Sequence, residues 1–318
     1  MIKAVTSSIA LGVVSTLFLS LSVIGNAGGS TAPGSAFQAM ALMTLSLVPL
    51  FLSGLGLGVT SAALSVAAGA VVAGLTAGPL FGLTYVATCG LPVIFIVRQA
   101  LLWREADNKI FWYPVDRLTI CWICVCIALS MMAALLLYMN TSLREGLISQ
   151  FDVILPEVRK MGGIYATLSA EELVWFIPQV FGPFWGILIL TSGSLAQGLL
   201  VRFGKNLRPT PALSGMAMPK WLALVTIGIV ALSFILKDAG PVVGSVVVVL
   251  EIAFFLQGMA VIHGVSRNWN YRPAILAAVY LIVIVMLWPI LVITLLGLAD
   301  SWIGFRGRQA AAPHQEDD

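Results

Sequence analysis

Residues 59–97 read VTSAALSVAAGAVVAGLTAGPLFGLTYVATCGLPVIFIV, without one Asp, Glu, Lys, Arg or His, and the same holds from Ala4 to Val97. A soluble domain is about a quarter charged, and no run of this kind can be solvated along its length. A membrane-spanning helix needs about 20 mainly apolar residues, so the stretch has room for several. Its breaks are Gly54, Gly56 and Gly58, then Gly78-Pro79. These residue types turn or end a helix.

The rest of the chain agrees. Its 318 residues are 59% hydrophobic and 10% charged, with a mean hydropathy of +1.01. Disordered chains are polar and charge-rich, so disorder is excluded as well. The expected fold class is an all-α, polytopic transmembrane helix bundle. Spans are expected at 4–24, 37–55, 58–78, 80–103, 118–139, 171–201, 221–236, 240–265 and 273–298. That makes nine, or eight if one segment is re-entrant. The first is read as a retained helix, because a signal peptide has a shorter apolar core.

Residues 142–160 place Leu143, Leu147, Phe151, Ile154 and Leu155 at helical spacing, which predicts an amphipathic helix on the membrane surface. The expected organisation is one integral membrane domain over 1–305, with an interfacial loop at 140–170. A polar, disordered tail is expected over 306–318.

Lys and Arg collect on the cytoplasmic side of a membrane protein. With the N-terminus inside, that side receives Lys3, the four in 98–117, the four in 202–220, Arg267 and Arg272. The other side receives Arg144, Arg159, Lys160, Lys237, Arg306 and Arg308. The sorting favours a cytoplasmic N-terminus, but nine spans leave Arg306 and Arg308 outside and eight bring them in. Trp103, Trp112, Trp221, Trp269 and Trp302 fall at span ends, where amphipathic rings favour the interface.

The net charge of +3, without a basic patch interleaved with aromatics, excludes nucleic acid as a partner; membrane lipid is the expected one. His263 and His314 are the only histidines, and they form no cluster with metal-ligand spacing. Neither a metal nor a cofactor is expected. Cys121-Trp122-Ile123-Cys124 has the redox spelling but opens a membrane helix, so cysteine as apolar filler is the better account. No nucleophile–base pair or carboxylate pair supports an enzyme.

Three features remain as candidates. Ser61, Ser65, Gly69, Ala73 and Ala77 recur every four residues, with a looser series at Ala4, Ser8, Gly12, Thr16 and Ser20. Small residues let helix backbones approach closely, within the chain or against a partner membrane subunit. Glu251 sits near the centre of its span, where a charge costs roughly 2.5–3.5 kcal/mol and normally faces a bundle interior or water. It is the first candidate for ligand binding. Gln197 and Gln257 are weaker candidates, and Gln257 lies about 240° round the helix from Glu251. Gln179, Pro178 and Gly182-Pro183 mark 171–201 as a span whose prolines free backbone carbonyls, as in the broken helices of transporters.

Four phrases then combine. Trp112-Tyr113-Pro114 precedes Arg117, and Asn206-Leu207-Arg208-Pro209 precedes Pro211. Phe255-Leu256-Gln257-Gly258 precedes His263, and Gly297 to Arg306 reads GLADSWIGFR. In this order the chain resembles the YybS-like bacterial membrane proteins, domain of unknown function 2232, in their alphaproteobacterial form. The resemblance implies residence in the inner membrane and no established activity or site residues. It further implies kinship with the substrate-binding subunits of energy-coupling-factor transporters and with the cell-shape protein MreD. The leading functional expectation is transport-related binding of a small solute. The alternative is a non-transporting scaffold for envelope or division machinery.

Overall fold

The computed structural model describes residues 2–27, 35–160, 167–211, 216–235, 240–286 and 288–305. Among these residues the fold is all-α apart from one small hairpin. Helices α1 (Ile2–Ala27), α2 (Ser35–Leu57) and α3 (Val59–Ala77) come first. The next span is built in three pieces, α4 (Pro79–Tyr85), a π turn (Val86–Gly90) and α5 (Leu91–Ala100). Strands β1 (Trp103–Ala106) and β2 (Lys109–Trp112) separate it from α6 (Val115–Met139) and α7 (Thr141–Arg159). Then come α8 (Ala170–Arg202), α9 (Lys220–Ile235), α10 (Gly240–Val265), α11 (Arg272–Val285) and α12 (Trp288–Ile303).

Seven of these segments are long and apolar enough to cross a membrane, while α9, α11 and α12 are shorter apolar helices. Gly58 (φ +102°) and Gly78 (φ +94°) make the sharp turns into α3 and α4, a backbone region that a side chain disfavours.

Two expectations need correction. The span expected at 273–298 is divided into α11 and α12, with Met286 extended between them. Pro289 lacks the N–H that would bond the Val285 carbonyl, so the ladder lapses there and α12 starts afresh with the proline in its first turn. The span expected at 80–103 ends at Ala100, and an antiparallel hairpin that the sequence reading did not include follows it, pairing Trp103 with Trp112 and Arg104 with Phe111. Asp107 (φ +52°) and Asn108 (φ +56°) form its two-residue turn, the geometry that matches strand twist. The amphipathic helix expected at 142–160 is α7. The tail at 306–318, including Arg306 and Arg308, lies outside the described residues.

The membrane domain gathers into two compact units, Met1–Val125 with Phe184–Pro211, and Cys126–Pro183 with Ala212–Asp318. In the first unit α1 lies against α2 and α3. Gly12 is in such close contact with the Ser65 carbonyl that a Cβ would not fit. The small-residue series on α1 and α3 therefore meet each other. Ser65, Gly69 and Ala73 are buried, Ser61 is half-buried, and Ala77 is exposed.

Hydroxyls stitch the same seam. Thr16 donates to the Gly69 carbonyl (2.9 Å), Ser65 donates to Ser53 (2.8 Å), and Ser15 pairs with the Tyr85 hydroxyl (2.8 Å). Without water to compete, such contacts average about 0.6 kcal/mol each in a membrane.

In the second unit α10 and α12 pack backbone to backbone. Gly258 rests on the Ile293 carbonyl and Gly297 on the Phe254 carbonyl. Val249, Leu250, Ala253 and Phe254 are buried along α10. Ser130 on α6 pairs with Ser245 on α10 and accepts the Gly182 N–H of α8 (3.1 Å).

Candidate functional site

Polar side chains on apolar helices are costly unless satisfied, so their partners show what each residue is committed to. Gln257 is fully buried on α10. Its Oε1 accepts the Met218 N–H at 2.9 Å, while Nε2 donates to Asp300 Oδ2 at 3.2 Å and Ser301 Oγ at 3.3 Å. Asp300 on α12 is buried too, and its Oδ1 accepts the Phe305 N–H at 3.0 Å. The Gln257–Asp300 pair lies beside the Gly258–Gly297 contact, where the two helix backbones touch. Lacking side chains there, the helices bring an amide and a carboxylate within reach of each other.

Glu251 is on the same helix but a different face. It is half-buried, and among the described residues no hydrogen bond or ion pair reaches it. Gly244 precedes it by seven residues, about two turns, and so shares its stripe. The Gln179 side chain lies against Gly244, 3.0 Å from where a Cβ would stand. Pro183, having no N–H, leaves the Gln179 backbone carbonyl without its helical donor. The Gly244 end of that stripe thus lies against an amide on α8, a helix that stays continuous through Pro178 and Pro183, and the Glu251 carboxyl sits about two turns further along.

Gln197 has a different employment. It is half-buried on α8 and donates to the Arg208 carbonyl at 3.0 Å, where Asn206 Nδ2 also donates at 2.9 Å. Arg208 is buried, and its guanidinium donates to the carbonyls of Ala100 and Tyr113, both at 2.8 Å. Burial lowers the Arg208 pKa from its usual range; a guanidinium still stays charged at neutral pH. Arg208 closes the gap between the end of α5 and the start of α6 and pins the loop after α8 to both.

Sequence reasoning missed Asp300 and Arg208, although both lie within the quoted phrases. The four phrases condense into two nodes, one in each unit. Tyr113 meets Arg208 in the first, and Gln257-Gly258 meets Gly297 and Asp300 in the second. Residues distant in sequence recur because each phrase is half of a contact.

Helix composition and the intramembrane polar nodes define a multi-pass helical membrane protein. More narrowly, the chain belongs to the family of predicted membrane proteins DUF2232, whose match covers residues 31–301. No curated protein and no solved structure matches it.

Proposed function

We propose that this chain is a transport-related membrane protein that binds a small solute between helices of its second unit. The observation that carries the reading is Glu251, a half-buried carboxyl in the middle of an apolar span with no partner among the described residues. A carboxyl at that depth normally serves a solute, an ion or a proton path, or is matched by a polar neighbour. Gln179 of α8, packed against the same stripe at Gly244, offers an amide, and its freed carbonyl offers an acceptor. The site suits a solute with hydrogen-bond donors or a positive charge. Gln257, bonded to Met218, Asp300 and Ser301, is committed to holding α10 to α12.

A partner subunit of the energy-coupling-factor kind would have to dock away from the Ser65, Gly69 and Ala73 face, which α1 fills. The test is mass spectrometry of metabolites that co-purify with the intact protein and with Glu251→Gln. A solute retained by the parent and lost from a variant with unchanged melting supports binding at Glu251. Absence of any solute, with another envelope protein recovered in stoichiometric amount, favours the scaffold reading.

A further inference from the structure

The hairpin raises a separate question, because an isolated two-stranded hairpin is marginally stable in water. Among the described residues its strands pair only with each other, yet Trp103 is 57% exposed, Ile110 59% and Phe111 45%. On the neighbouring loop Phe203 and Leu207 are exposed as well. Large apolar side chains left uncovered in this way need a medium other than bulk water.

Their position supplies one. The Tyr113 N–H bonds the Leu102 carbonyl at 2.9 Å, and Arg208 ties Ala100 and Tyr113 to the loop after α8. The hairpin is therefore fixed to the ends of two membrane-spanning segments, in the layer where headgroups begin. Trp and Tyr concentrate in that layer. The charge around the aromatics is also one-sided. Arg98, Arg104, Lys109, Arg117, Arg202 and Lys205 are exposed, against Glu105, Asp107 and the half-buried Asp116. Arg104 stands over the Phe111 ring, 5.7 Å from its centroid, so cation and aromatic occupy one level.

We propose that the hairpin and the loop at 203–208 form a binding surface for anionic phospholipid at this end of the first unit. The aromatic and aliphatic side chains enter the boundary of the acyl region. The guanidinium and ammonium groups take the lipid phosphates, which accept the paired N–H groups of arginine. The surface stands on geometry in the first unit alone and is independent of solute binding in the second.

The test is native mass spectrometry of the full-length protein in detergent, titrated with phosphatidylglycerol or phosphatidylcholine. The parent should bind the anionic lipid preferentially. The variant Arg104→Gln/Lys109→Gln/Arg202→Gln/Lys205→Gln should lose at least about tenfold of that preference, since each juxtamembrane cation contributes roughly fivefold. These four side chains are exposed, so the variant should melt with the parent. Equal binding of both lipids by the parent, or an undiminished preference in the variant, would overturn the proposal. A photo-crosslinking residue at Ile110, in vesicles containing phosphatidylglycerol, gives a second readout that needs no charge removal. A lipid adduct supports the proposal, and a protein adduct in its place sinks it.

Discussion

Arg208 donates to two carbonyls, of Ala100 at the end of α5 and of Tyr113 just before α6, so its loss is felt at both. Hydrogen bonds from charged groups are worth about 1.5–3 kcal/mol each. Arg208→Lys keeps the charge but cannot present the planar fork that reaches Ala100 and Tyr113 together. It should lower stability by about 2–3 kcal/mol, read as a drop in the melting temperature of the purified protein. A melting temperature equal to the parent's would show that charge alone matters there. Gly258 and Gly297 make the opposite case, in which absence of a side chain is the contribution. Gly258→Leu would drive a side chain into the Ile293 carbonyl, and overpacking of this kind costs about 3 kcal/mol. Gly198→Leu, with nothing within 4 Å of the added Cβ, should leave melting unchanged in the same assay. None of these residues announces itself in sequence. An arginine in a basic loop reads as a topology anchor, and a glycine in a span reads as one of thirty.

At the scale of elements, apolar runs predicted helices well because a bilayer leaves the backbone no other donor or acceptor. The expected spans from α1 to α10 match the observed helices to within a few residues. The failure was at Pro289. Proline is tolerated inside α2 at Pro49 and inside α8 at Pro178 and Pro183, so its presence does not by itself decide between a kink and a break. Packing decides. Helix α12 is drawn onto α10 through Gly258 and Gly297, while α11 has no buried residue. The hairpin was also hidden, because two strands of four residues each are too short for an alternation to show. Its Asp107-Asn108 turn holds two left-handed residues, a conformation glycine adopts at less cost. Asn108→Gly should therefore slow amide hydrogen exchange across 103–112, and faster exchange would contradict the turn assignment.

The whole molecule is a chain whose polar groups were sorted by the membrane before they were sorted by packing. The Lys and Arg distribution predicts that a reporter inserted after Asn108 lies in the cytoplasm and one inserted after Gly146 lies on the far side. Finding both reporters on one side would reverse the reading of α6 as a span. The small-residue series shows where sequence reasoning stops. Its periodicity announces a close helix contact, but not whether the partner is another protein or α1. Periodicity describes one surface, and a contact needs two.

Composition and spacing by themselves determined that the chain is a helical membrane protein, where its long helices run and which residues are too polar for their depth. Those properties follow from single segments meeting a bilayer, one at a time. Only the tertiary structure decided that Ser65 and Gly69 face α1, that Gln257 holds Asp300, and that Arg208 ties a loop to the hairpin stem. It also left Glu251 without a partner among the described residues. Each of these depends on two segments far apart in the chain arriving within hydrogen-bond reach, and no local pattern encodes that distance.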